Sequence, residues 1–231
     1  MKFLSTIFFS LFVITSSIAQ NAVDTPTTND YLTNRPITKP KNTIDVAGSQ
    51  YSNDEFQQGN VYKNGNLVAS NVVLRYNVSR DEIEVKSSLT ADDSSARLLR
   101  ANPDIYIRIL NDTYVYVKPT TAEAPSGYFK VLHEGEKFHL YKKEKKEFIE
   151  GMKSMNSISR DVPPTYKDDE VLYLVNTKDG SLEELSGSRN RKIKAFPSHN
   201  KELKRYTKKN NLNINKDYNL VKLVAYFNTL K

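Results

Sequence analysis

The chain has no cysteine and no tryptophan, and only three histidines and eight glycines in 231 residues. Each shortage removes a class of chemistry. Without thiols there is no disulfide framework and no cysteine-based zinc site. The three histidines, His133, His139 and His199, include no pair at the i, i+4 spacing of a zinc-binding helix. The glycines are scattered among turns and form no phosphate-cradling loop. No Gly-x-Ser-x-Gly elbow occurs, so that route to an activated serine is missing. Beyond the first twenty residues no apolar run is long enough to span a bilayer as a helix.

Those first twenty residues predict an export signal. Lys2 gives a short positive start, Phe3 to Ile14 an apolar stretch broken by Ser5, Thr6 and Ser10, and Ser17-Ile18-Ala19 small residues at a cleavage site expected after Ala19. The cysteine that a lipoprotein signal needs next is absent, so direct lipid anchoring is not expected. About 210 mature residues suffice for one good core or two small ones, held by packing alone. Residues 20–48 are rich in Thr, Asn, Pro and Asp and predict an extended or disordered leader, with Pro36 and Pro40 opposing helix. Such a leader serves as a spacer or as a docking segment.

Residues 49–187 predict an antiparallel β domain, a sandwich or a partly closed barrel. Asn64-Gly65 between Val61-Tyr62-Lys63 and Asn66-Leu67-Val68 is a strong hairpin signal, because both turn residues accept positive φ. Strand continues over Val72 to Asn77. Glu82-Ile83-Glu84-Val85-Lys86 alternates and predicts a half-exposed strand. Asp92 to Arg100 reads as a short helix or a loop. Ile105 to Ile109 and Tyr114 to Val117 alternate about Asn111-Asp112-Thr113. A three-residue turn there pairs Ile109 with Val115 and leaves Tyr114 and Tyr116 on the outer face. Gly127 to His133 and Glu136 to Tyr141 form the next hairpin about Glu134-Gly135. A two-residue turn pairs Val131 with Phe138 and Phe129 with Leu140, and sends His133 and His139 to opposite faces. Lys142 to Glu147 reads as a solvated strand end or helix start, Gly151 to Pro164 as irregular, and Val171 to Val175 as a buried strand.

Residues 188–231 predict a basic helical tail packed on the β domain. Arg189 to Lys209 holds nine cations against Glu202 alone, a formal +8, while the whole chain carries +7. The basic character is therefore local. Ser198 is the expected N-cap of a helix through Lys209, and Asn215 of a second helix. In that second helix Leu220, Leu223, Val224 and Phe227 recur at i, i+3, i+4, i+7, an apolar stripe for packing on the sheet or the preceding helix.

Phe56 with Gly59, Leu74-Arg75-Tyr76-Asn77, Gly127-Tyr128-Phe129-Lys130-Val131-Leu132, and a tail running from Lys192 through Tyr206 to Leu220, Leu223, Tyr226, Phe227 and Asn228 resemble a family of uncharacterised exported proteins of Gram-negative envelopes. The resemblance covers most of the mature chain. It implies an envelope location and a β-rich body with a helical tail, and no catalytic residues.

No motif calls for a cofactor or metal. Asp92-Asp93 and Asp168-Asp169-Glu170 offer oxygen ligands for calcium but match no EF-hand loop, and read as solvated turns. Ser198-His199-Asn200-Lys201 matches Ser-x-x-Lys, in which a lysine one helical turn on activates the serine, but its companion motifs are missing. The residues with the best case for contact are Arg189, Arg191, Lys192, Lys194, Lys204, Arg205, Lys208 and Lys209, with Tyr114, Tyr116 and Tyr141 as an outer aromatic face. Export argues against nucleic acid as their partner and favours another envelope protein or an anionic envelope glycolipid. The expected function is thus a non-catalytic, exported binding protein, periplasmic or associated with the outer membrane. A ligand-binding barrel and a hydrolase with dispersed carboxylates are the alternatives.

Overall fold

The computed structural model of the chain describes residues 30–37, 46–119, 121, 123–154 and 160–231. The expected export signal and the leader apart from 30–37 and 46–48 lie outside these. One antiparallel sheet of eleven strands carries three helices that follow it in sequence. The strands are β1 (Leu32–Pro36), β2 (Gln57–Lys63), β3 (Asn66–Asn77), β4 (Glu82–Lys86), β5 (Arg97–Leu99), β6 (Ile105–Ile109), β7 (Asp112–Val117), β8 (Gly127–His133), β9 (Phe138–Ile149), β10 (Thr165–Asn176) and β11 (Leu182–Glu184). The helices are α1 (Arg189–Lys194), α2 (Asn200–Lys209) and α3 (Asp217–Thr229). Spatial order is β1-β5-β4-β3-β2-β6-β7-β8-β9-β10-β11, with β1 and β11 as unjoined edges. The fold is β-rich with C-terminal helices, as expected; of the two β architectures expected, a sandwich or a partly closed barrel, the single curled sheet, not closed, is nearer the second.

The curl brings the β3–β4 turn onto β8 and β9. Asp81, in that turn, accepts hydrogen bonds from the Tyr76 hydroxyl at 2.7 Å and the Tyr128 N–H at 3.1 Å through Oδ1. Its Oδ2 accepts one from Lys143 Nζ at 2.7 Å. Inside the curl, Val61, Leu74, Tyr76, Ile83, Ile105, Ile107, Tyr114 and Tyr128 form one core. A second core lies where Leu140, Leu172 and Leu174 meet Ile193 and Phe196, Leu203 of α2, and Leu220, Leu223, Val224 and Phe227 of α3. The predicted apolar stripe of α3 is therefore its buried face.

Several local expectations change. The stretch read as a leader contains β1, whose Leu32 faces Leu99 of β5, so this part is a sheet edge. Ile109 pairs with Asp112 and Ile107 with Tyr114, so the β6–β7 turn has two residues, Leu110 and Asn111. That register turns Tyr114 into the interior. Between β8 and β9, Val131 faces Tyr141 and His133 faces Leu140 across a bulge, so neither expected apolar pair forms. Asp92 caps a short 3-10 turn at Asp93–Ser95. The Lys142–Glu147 charge run continues β9, and Asp168-Asp169-Glu170 lies within β10, not in a turn.

Candidate functional site

The basic tail is built on two short helices. The Ser188 hydroxyl accepts the Arg191 N–H at 3.4 Å and starts α1, whose Ile193 is fully buried. Phe196 anchors the link to α2. Ser198 does not cap α2: His199 takes that position with φ of 58° and no capping side chain. Ser198 thus lies outside the helix, and the cap expected of it is not formed. Along α2, Leu203 and Thr207 face inward, and Tyr206 stacks on Tyr226 of α3 with ring centroids 3.8 Å apart. The buried face fixes which residues face water. Lys201, Lys204, Arg205, Lys208 and Lys209 are all exposed, and so is Lys194 at the end of α1.

The other predicted cations are engaged differently. Arg189 donates to Thr207 Oγ1 at 2.5 Å, Arg191 folds back over Gly187, and Lys192 is buried. Lys192 is therefore withdrawn as a contact residue. Arg189 and Lys208 border a cleft of about 420 Å³ with Thr207, Leu212 and Ile214. Lys208 and Lys209 occupy the last turn of α2, where the helix dipole favours positive charge.

The aromatic face is not assembled. Tyr114 and Tyr141 are 4% and 9% exposed, and Tyr116 is half-buried against Tyr128. Burial pushes the Tyr141 hydroxyl up to about 12, with Glu134 adding to the effect. The two-residue β6–β7 turn is the reason for Tyr114, and the β8–β9 bulge sets Tyr141 beside Phe129.

His133 pairs with Leu140 across β8 and β9, so it and His139 fall on opposite faces of the sheet, as expected. His139 stacks on Tyr141 and accepts the Gly135 N–H through Nδ1 at 3.2 Å. Burial lowers its pKa, an effect that Glu134 opposes and His133 reinforces. No group of three or more metal-ligating side chains occurs among the described residues.

Carboxylates converge at a cleft of about 450 Å³ bordered by Ser52, Glu144, Lys146, Asp168, Asp169 and Glu170. Lysines already answer them: Lys146 binds Asp168 at 2.5 Å and Lys142 binds Glu170 at 2.8 Å. Lys142 also binds Asp217 of α3. Burial works against the Lys142 ammonium, yet Asp217 and Glu170 outweigh it and hold its pKa above the ordinary value. This is a cross-strand charge ladder joined to a helix start.

Two further features depart from expectation: the strand Glu82–Lys86 is buried over four of its five residues instead of half-exposed, and an apolar group lies in a region read as irregular. Glu84 and Lys86 are buried in a cluster with Arg75 and Asp93, although their strand alternates as a half-exposed one does. At the far end of the β9–β10 hairpin, Phe148, Ile149, Met152 and Val162 are exposed apolar side chains. Their sequence signal, apolar residues next to Pro163-Pro164, reads as irregular chain. The chain matches no family model, no curated protein and no solved structure.

Proposed function

We propose that this is an exported, non-catalytic envelope protein that binds an anionic envelope component through the outer face of α2. One contrast carries this reading. Six of the eight lysines in the strands are matched to acids: Lys63 to Asp30, Lys86 to Asp93, Lys130 to Asp112, Lys142 to Glu170 and Asp217, Lys143 to Asp81 and Lys146 to Asp168, with Lys145 and Lys167 the exceptions. Lys194, Lys204, Arg205, Lys208 and Lys209 have no ion pair among the described residues. Uncompensated like charge on a helix face raises self-repulsion, which an anionic partner relieves. Export is supported by the character of residues 1–19. A ligand-binding barrel loses support because tyrosine and aliphatic side chains fill the curl.

The test is crosslinking and co-purification of the processed protein from its envelope at low and moderate salt. The comparison is a variant carrying Lys204→Glu, Arg205→Glu, Lys208→Glu and Lys209→Glu. All four positions are exposed, so the fold should persist, with an unchanged far-ultraviolet circular dichroism spectrum. Salt-sensitive association should fall at least about tenfold, as expected if each reversal contributes a few tenths of a kcal/mol or more. Unchanged association removes α2 as the contact surface.

A further inference from the structure

The loop that joins α2 to α3 is set by its own sequence. Residues 211–215 read Asn-Leu-Asn-Ile-Asn, and Leu212 and Ile214 are buried while the asparagines are exposed. Asn211 takes φ of 49°, a left-handed conformation that asparagine tolerates. Its N–H donates to the Lys208 carbonyl at 3.3 Å, and the Leu212 N–H to the Thr207 carbonyl at 2.9 Å. That pair of bonds closes the end of α2 and satisfies carbonyls of its last turn. Farther on, the Asn213 side chain accepts the Asn215 N–H at 3.1 Å, and its carbonyl accepts Asn219 Nδ2 at 3.1 Å. Apolar anchors and these bonds hold the loop. The side-chain amides of Asn211 and Asn215 have no partner among the described residues.

With Asn213, these amides border the cleft of about 420 Å³ that Arg189 and Lys208 also line. Small-ligand sites span about 300–1,000 Å³, so the volume suffices. No acid borders the cleft among the described residues. Arg189 is held by a neutral group: its Nη2 donates to Thr207 Oγ1 at 2.5 Å, and Thr207, fully buried, donates to the Lys204 carbonyl at 3.0 Å. The guanidinium is thus positioned while its charge stays without a carboxylate among the described residues. The negative end of the α2 dipole opposes an anion here, but that effect is confined to the last turn, where Lys208 and Lys209 offset it.

We propose that this cleft binds a phosphorylated sugar, with Arg189 and Lys208 on the phosphate and Asn211, Asn213 and Asn215 on the ring hydroxyls. This names the group that the end of α2 receives, and rests on the preceding reading for an anionic partner. Each part of the ligand answers one feature of the cleft. Two cations without an acid suit a phosphate, which carries about −1.5 to −2 at neutral pH, better than a carboxylate with its single charge. A guanidinium forks onto two phosphate oxygens. An amide offers a donor and an acceptor together, which is what neighbouring sugar hydroxyls need. Leu212 and Ile214 supply an apolar wall for the C–H face of the ring.

The test is a nuclear magnetic resonance titration of the isotope-labelled processed protein with glucose 1-phosphate, inorganic phosphate and glucose in turn. Glucose 1-phosphate should shift the Asn211, Asn213 and Asn215 side-chain amides together with the Arg189 Nε–H, and bind about tenfold more tightly than inorganic phosphate. Glucose should produce no shift. Asn211→Gly with Asn215→Ala should erase the preference over inorganic phosphate; glycine keeps the positive φ, and both positions are exposed, so the fold should persist. Arg189→Gln should weaken both phosphates. Phosphatidylcholine vesicles carrying a phosphorylated glucosamine lipid distinguish the sources. Co-sedimentation that glucose 1-phosphate displaces assigns the site to a glycolipid headgroup, and cleft shifts without co-sedimentation assign it to a soluble sugar phosphate; both support the site. Inorganic phosphate binding as tightly as glucose 1-phosphate, or shifts spread evenly over Lys201, Lys204 and Arg205, overturns it while leaving charge-driven binding by α2 in place. Equal binding of glucose, or no shift with any of the three, overturns it as well, and envelope co-purification of the α2 charge-reversal variant then judges the preceding reading separately.

Discussion

Arg75 concentrates more interactions than any other charged residue of the sheet. Its guanidinium lies between the rings of Tyr51 and Phe56, 3.9 and 4.0 Å from their centroids, and donates to Glu84 Oε2 at 2.7 and 3.1 Å and to the Asp54 carbonyl at 3.1 Å. Lys86 beside it donates to Asp93 and to the Leu89 and Ala91 carbonyls. The cluster holds two irregular segments over one face of β3 and β4. Arg75→Ala leaves Glu84 as an uncompensated buried charge, and should cost about 3–5 kcal/mol in denaturant unfolding. Arg75→Met combined with Glu84→Met should recover much of that loss, because the desolvation cost disappears with the charges. Arg75→Lys should not, since an ammonium cannot stack between two rings and fork to one carboxylate. A loss below about 1 kcal/mol in the single variant would contradict this account. The cluster was not legible in the alternation of Glu82 to Lys86. Period two reports that successive residues face opposite ways, and says nothing of what covers the second face. Here residues 51–56 and 89–95 cover it.

At the scale of elements, the β3–β4 turn and the start of β8 are locked by Asp81 and Gly127. A Cβ on Gly127 would stand 1.5 Å from Asp81 Oδ2, and φ there is +98°. Gly127→Ala should therefore cost about 2–4 kcal/mol, from strain and displacement of the carboxylate. Gly65→Ala, at φ of +78° with open space around it, should cost only about 1 kcal/mol. Thermal melts of the two variants check the contrast, and equal losses would show that Asp81 yields easily. The same comparison separates legible elements from illegible ones. Asn64-Gly65 was readable because its chemistry is specific to a two-residue turn, and Lys63 does face Asn66 across it. Leu110-Asn111 was not, because Leu110 turns the chain at φ of 50°, a conformation leucine rarely takes. The β8–β9 connection was set from a distance. Asn228 of α3 accepts the Lys137 and Phe138 N–H groups at 2.9 Å each and donates to the Phe138 carbonyl at 3.0 Å. No local pattern around Glu134-Gly135 contains that side chain. The α3 stripe was legible for the opposite reason: its partner is any apolar surface, and the sheet supplies one.

Across the whole molecule, charge and tyrosine are distributed by opposite logic. The local excess of cations in the tail was legible because formal charge is counted, not folded. The fate of the tyrosines was not, since a strand face offers tyrosine both water and core. Tyr76, Tyr114 and Tyr128 line the curl, and burial raises all three hydroxyls well above the ordinary tyrosine range, with Asp81 or Glu144 adding to the effect. The folded-state values exceed the unfolded one, so their contribution to stability is complete below pH ~10 and is lost as pH rises beyond it. Lys143 acts in the other sense: burial lowers its pKa despite Asp81, so its charged form is disfavoured by folding and that cost fades at high pH. Three large upward shifts against one downward shift leave a net loss of stability above pH ~10. Tyrosinate absorbance followed beside far-ultraviolet circular dichroism reads this directly. Exposed members of the 14 tyrosines should ionise first with secondary structure intact, and a lagging group should ionise only as the sheet unfolds. If all ionise together near pH 10 without loss of structure, the curl admits water and its tyrosine core is not the closed interior described above.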